Sequence, residues 1–244
     1  SYTSELLGQF DSSGNRVAVY EVPTYAANLY AGREFGNYGA ATVLYRRAAG
    51  KTEVVTGDPS EPESSFQIGE TSVNLVLDRL DSSYLPRDGS YLNVGMLFSR
   101  EGMGADANFN QFNFDTVYAK LSGSHSAYVG LRYHETTSGV APFQSQYRLG
   151  GVTRFAGYRP NELVTPNYAL AFVGYDFELA SVLSRPAILG GTIEYGQVWQ
   201  NGQGPANRRD EIDASLYLGF DSWLGRLLFG YGYRQGGDGT FFFE

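Results

Sequence analysis

The residues able to do chemistry in this 244-residue chain gather in one stretch, "RLGGVTRFAGYRPNEL", residues 148 to 163. Arg148, Arg154 and Arg159 each carry a planar fork of donors that suits a carboxylate, often as a bidentate pair. Gly150, Gly151 and Gly157 admit φ values that a β-branched residue forbids. The segment is therefore able to bend sharply around its cations. Two readings follow. Either one of the arginines pairs with a carboxylate elsewhere in the fold, or all are solvated in an outer loop.

Other chemistries find no support. No G-x-S-x-G elbow occurs, and a Ser/Asp hydrolase dyad needs that strained turn to present its serine. The two histidines are His125 and His134. Two positions away lie Gly123 and Ala127 for the first, Arg132 and Thr136 for the second, so neither has the serine that a barrel-wall hydrolase requires. Metal-ligand spacing is absent. Asp176, Glu178 and Asp213 suit the filling of a polar interior better than paired acid–base work. "GREFGNYG" (32–39) has glycines spaced faintly like a nucleotide loop, but no helix follows to hold a phosphate. No cofactor or metal is expected. A formal charge of −8 disfavours a nucleic-acid partner, and the absence of cysteine excludes a disulfide framework.

The elements that must position the loop read as strands. Segments of about ten residues alternate in polarity between Gly, Asp, Asn, Ser and Pro turns. In 168–180, Ala169, Ala171, Val173, Tyr175, Phe177 and Leu179 oppose Gly174, Asp176 and Glu178. In 187–199, Leu189, Ile193, Tyr195 and Trp199 oppose Thr192, Glu194 and Gly196. In 212–220, Ile212, Ala214, Leu216, Leu218 and Phe220 oppose Asp213, Ser215, Tyr217 and Gly219. In 226–234, Leu227, Phe229, Tyr231 and Tyr233 oppose Gly230, Gly232 and Arg234. Soluble sandwiches alternate too. Here one face mixes small and charged residues as a lumen does, and aromatics recur near strand ends as interfacial girdles do. The pattern predicts an all-β transmembrane antiparallel barrel in the bacterial outer membrane, whose mean hydropathy of −0.28 stays low because only alternate residues are apolar.

Thirteen strands are recognisable: 2–10, 16–31, 38–48, 51–57, 66–79, 90–100, 110–120, 125–135, 167–180, 187–199, 211–220, 225–234 and 240–244. Long connections (56–65, 100–108, 201–210) alternate with compact ones (121–124, 180–186, 221–225), which places the arginine loop on the external side. An odd count makes the first strand run toward the periplasm, and the last is short. Residues 1–244 are therefore expected to be one barrel domain lacking its first strands and the end of its last.

"RLGGVTRFAGYRPNEL" resembles the loop motif of the BamA-like outer-membrane superfamily, in which a Gly-Gly pair precedes an Arg-Gly-Tyr or Arg-Gly-Phe tip. "VLDRLDSSYLPRDGSYLNVGM" (76–96) resembles its Asp…Asp…Pro-x-Asp-Gly turn, and "FDSWLGRLLFGYGYR" (220–234) its penultimate strand. Within the superfamily, Leu149-Gly150-Gly151…Phe155-Ala156-Gly157-Tyr158 and "IEYGQVW" (193–199) are similar to the C-terminal barrel of patatin-like phospholipase autotransporters of the PlpD type.

That resemblance implies about sixteen strands, an upstream lipase domain and a lumen occupied by the external loop. It also implies a barrel that is not itself an enzyme and acts as anchor and translocator. Its partners would be outer-membrane lipid and an upstream passenger or periplasmic domain; a homodimer is suggested by the relatives, although no residue here argues for one. The alternatives are a polypeptide translocase or assembly pore of the same superfamily, including two-partner secretion, and a simple diffusion porin. Ala156 stands where the assembly and secretion members carry the arginine that pairs with an acid on the barrel wall. Glu194 occupies the corresponding wall position, so Arg154 or Arg159 is expected to pair with it. Gly150, Gly151, Arg154, Gly157, Tyr158 and Arg159 make up the expected lumenal motif.

Overall fold

A computed structural model describes residues 1–10, 16–57, 63–82, 86–182, 185–202, 207–222, 225–237 and 239–243. Parts of the connections at 56–65, 180–186, 201–210, 221–225 and 235–239, and the last residue of the strand expected at 240–244, lie outside them. Twelve antiparallel strands form one sheet in chain order. They are β1 (Tyr2–Phe10), β2 (Arg16–Glu34), β3 (Gly39–Gly57), β4 (Ser64–Asp78), β5 (Gly89–Ser99), β6 (Phe109–Ser122) and β7 (His125–Gly139), followed by β10 (Asn167–Val182), β11 (Arg185–Trp199), β12 (Arg209–Ser222), β13 (Gly225–Arg234) and β14 (Thr240–Phe243). Between β7 and β10 a separate two-stranded ribbon, β8 (Tyr147–Leu149) and β9 (Leu163–Thr165), forms the neck of the arginine loop. Among the described residues, the edge strands β1 and β14 do not pair with each other.

The expected strands 38–48 and 51–57 are one strand, β3, so among the described residues the sheet has twelve members rather than thirteen. Residues 49–50 separate the two expected strands. Instead Gly50 stays in the ladder opposite both Thr24 and Phe66, and its missing Cβ leaves the space that the Phe66 ring approaches. With an even count, alternation starting from the long 140–166 loop makes β1 run toward that loop's side.

Alternation decides which side of the sheet packs. On β10 to β13 the residues Val173, Ile193, Leu216 and Phe229 are all about half-exposed or more, on the face read above as apolar. Their neighbours Phe172, Thr192, Glu194, Asp213 and Tyr217 on the opposite face are buried. The buried face is greasier than the sequence pattern suggested. Tyr168, Leu170 and Phe172 join Tyr128 and Ala119 in its largest apolar cluster, and the loop supplies Leu149, Phe155, Tyr158 and Leu163 to the same cluster.

One lateral row of that face organises everything below. Asp78, Tyr91, Val117, Gly130, Phe172, Glu194, Asp213 and Arg234 are successive register partners from β4 to β13. The row begins at the last residue of β4 and ends at the last residue of β13, which lie at opposite ends of the sheet. That diagonal is the strand stagger which tilted barrel walls require.

Candidate functional site

The loop is held in shape before it meets the wall. Tyr147↔Thr165, Arg148↔Val164 and Leu149↔Leu163 close its neck. Beyond the neck, the Gly150 N–H donates to the Arg154 carbonyl (2.7 Å), the Gly151 N–H to Tyr158 (3.1 Å) and the Tyr158 N–H to Phe155 (3.0 Å). Gly150 and Gly151 have φ of 132° and 98°, as expected of glycines that free the backbone. At Gly150 a Cβ would also lie 1.9 Å from the Arg159 carbonyl oxygen. Gly157 is different. Its φ is not left-handed; it is small because the loop lies flat on the wall there, where a Cβ would come within 2.6 Å of Arg234 Cβ and 2.9 Å of Asp213 Oδ1. The left-handed φ values fall instead on Thr153 (60°) and Phe155 (69°), and such positions cost on the order of 1–3 kcal/mol each unless the surroundings enforce them.

Glu194 is what enforces them. Its carboxylate is fully buried and accepts the backbone N–H of Thr153 (2.9 Å), Phe155 (2.6 Å) and Ala156 (3.3 Å), with the Thr192 hydroxyl at 3.0 Å. Alternating handedness across Thr153–Phe155 turns successive amides toward one point, which makes a concave anion site out of backbone alone. The expected arginine partner is therefore corrected. Arg154 and Arg159 are exposed, and neither forms an ion pair with Glu194 among the described residues. Three amides already saturate the carboxylate, and Ala156, fully buried, takes the place of the missing arginine.

The cations that grip the loop come from the wall. The Arg234 guanidinium lies over the Tyr158 ring, 4.4 Å from its centroid, and 3.9 Å from Glu162 at the far side of the loop. Arg209 donates to the Tyr158 hydroxyl (3.3 Å) and pairs with Glu211 (2.5 Å). Burial first, then the Glu211 carboxylate, push that hydroxyl up to about 12, so it stays protonated. Arg234 was placed on the inward face by alternation, but its partner was not foreseeable from spacing. Arg209 escaped notice altogether, since it sits at the start of β12 beside a polar connection.

Two expected outcomes test this geometry. Tyr158→Phe removes one hydrogen bond and keeps the ring beneath Arg234, so a loss of about 1 kcal/mol in thermal unfolding is expected; Tyr158→Ala removes the ring as well and should cost about 3–5 kcal/mol. Gly232 faces the loop where a Cβ would stand 1.7 Å from the Ala156 carbonyl oxygen. Gly232→Val should therefore lift the loop, at a cost of about 1–3 kcal/mol, and trypsin should cut at Arg154 faster than in the parent. Unchanged digestion would mean that the loop does not rest on Gly232.

The comparisons with known proteins agree with this architecture. No curated protein sequence matches the chain. Among solved structures, the chain is similar to BamA from Haemophilus ducreyi lacking POTRA domains 1–3, with a TM-score of 0.72 at 14% identity, over 100% of this chain and 56% of that one. The likeness is one of fold. The family model for the Omp85 superfamily domain matches residues 4–243. That match takes in β1 to β14 almost entirely, and the chain belongs to the Omp85 superfamily of bacterial outer-membrane β-barrel proteins.

Proposed function

We propose that the chain is the anchor and translocator barrel of a patatin-like phospholipase autotransporter, non-catalytic by itself, with segment 147–165 folded into its lumen. The observation that carries this reading is the Glu194 site. A carboxylate satisfied by three loop amides has no use for the tip arginine of the assembly and secretion members, and Ala156 fits the autotransporter form of the motif. In this reading the exposed apolar face meets lipid and the buried face lines the lumen. Lipid cannot satisfy an open strand edge, so β1 and β14 are paired in the membrane. The barrel's partners are then outer-membrane lipid, an upstream passenger or periplasmic domain and, by analogy with the relatives, a second copy.

The fold likeness to BamA supports a second reading, a polypeptide translocase or assembly pore. Reading the coding sequence upstream of Ser1 separates the two. A G-x-S-x-G lipase domain there supports the anchor, whereas periplasmic repeats without a lipase favour the translocase. A signal peptide alone would overturn both.

A further inference from the structure

The turn motif at 76–96 has no part in the loop site, yet the connection it forms between β4 and β5 is also docked onto the neighbouring strands. Arg87 reaches across the ends of β6 and β7 to Glu178 on β10, at 2.5 Å. The Ser126 hydroxyl of β7, itself buried, donates to the Arg87 carbonyl (3.0 Å). Asp88 accepts from Lys120 (3.0 Å) and from the Leu121 N–H (3.3 Å) of β6. The turn's own shape is kept by Asp81, which accepts the N–H groups of Arg87 (2.8 Å) and Asp88 (3.1 Å). An ordinary hairpin turn has no reason to cross two neighbouring strands.

What lies beneath it gives the reason. A cavity of about 220 Å³ has Leu80 and Pro86 of this connection on one side and Thr153 of the arginine loop on another, with Tyr91, Val117 and Phe172 of the wall row between them. The two segments approach from opposite ends of β7, since one docks at Ser126 and the other emerges beyond Gly139. The arginine loop is fastened by buried amides on Glu194. The β4–β5 connection is fastened by partly exposed ion pairs, with side chains 16% and 32% exposed for Arg87 and Glu178. Such pairs hold less firmly and respond to salt. Of the two closures, the second is built to let go.

We propose that residues 79–82 and 86–88 form a latch across the periplasmic mouth of the barrel, fastened by Arg87–Glu178, whose release opens the cavity under the arginine loop to the periplasm. The proposal rests on reading the buried face as a lumen. The periplasmic side follows from the short 123–124 turn at this end of the sheet.

The test uses the absence of cysteine from residues 1–244. Val117→Cys in the full-length protein places one thiol on the cavity wall, and a membrane-impermeant maleimide in osmotically shocked cells reads its accessibility. Slow labelling of the otherwise unchanged protein is expected. Arg87→Gln or Glu178→Gln should speed it by about two- to five-fold, the factor that one partly exposed ion pair contributes to a local opening equilibrium. Exchanging the pair (Arg87→Glu with Glu178→Arg) should restore slow labelling. Heat-modifiable gel mobility shows which variants fold. If the single variants do not, raising the salt concentration on the Val117→Cys protein should accelerate labelling by screening the same pair. Slow labelling that no variant or salt changes overturns the latch, and so does acceleration that the exchanged pair fails to reverse. Fast labelling before any latch substitution would instead overturn the lumenal reading itself.

Discussion

Glu194→Ala is expected to release the arginine loop while leaving the sheet folded. The substitution strips three backbone amides of their acceptor in a site with no access to water. Each buried donor left unmet costs about 1–3 kcal/mol, so for three of them a loss of roughly 3–9 kcal/mol in loop docking follows, with an upper end above that of Tyr158→Ala. The left-handed conformations at Thr153 and Phe155 add to it, because the carboxylate is the acceptor of both residues' amides. Tryptic cleavage at Arg154 should become rapid, and far-ultraviolet circular dichroism should keep its β signature. Glu194→Gln is the sharper control. It conserves volume and one acceptor oxygen but turns an NH₂ toward amides that are themselves donors, so it should behave like Ala in kind and fall short of it in degree. If Glu194→Ala digests and melts like the parent, the carboxylate is a bystander and the loop is held by the apolar cluster of Phe155, Tyr158, Tyr168 and Phe172.

Glu194 was legible in the sequence and its partner was not, for a physical reason. Alternation in β11 needs only side-chain polarity, and it put Glu194 on the same face as Asp213 and Arg234, where register confirms them as neighbours. The partner depends on backbone dihedrals at Thr153 and Phe155, and no residue type there advertises a left-handed conformation. Arginines near a carboxylate suggested an ion pair, while the amides that won carry no sequence signal at all. Gly50 shows the converse error. Gly50 lies in the gap between two expected strands, yet in β3 it is a hole for Phe66. Polarity of the inward face was overread in the same way: Tyr168, Leu170 and Phe172 stood in plain view at even positions, but their apolar role required knowing that a loop would land on them.

Leu216→Arg should cost about 2–4 kcal/mol in a lipid bilayer, the depth-dependent price of a cation on the lipid face of a barrel near its midplane. Leu216 is 64% exposed and sits midway along β12, between Gly191 of β11 and Tyr231 of β13. Its own contacts are therefore few, and packing loss alone would be small. If this face met water, a substitution there would fall within about 0.5 kcal/mol of neutral. The two outcomes do not overlap, so refolding equilibria in lipid vesicles decide between them. Leu216→Ala removes the same side chain without adding charge and isolates the transfer of the guanidinium; its smaller cost should be subtracted. Depth supplies a second axis: Tyr233 also points outward but lies next to the last residue of β13, and Tyr233→Arg, closer to the interface, should cost about 0–1 kcal/mol beyond its packing loss. A penalty that is large at Leu216 and fades at Tyr233 is the profile of a hydrocarbon slab. Equal tolerance at both positions would leave the Omp85 fold intact and remove the membrane from this face of it.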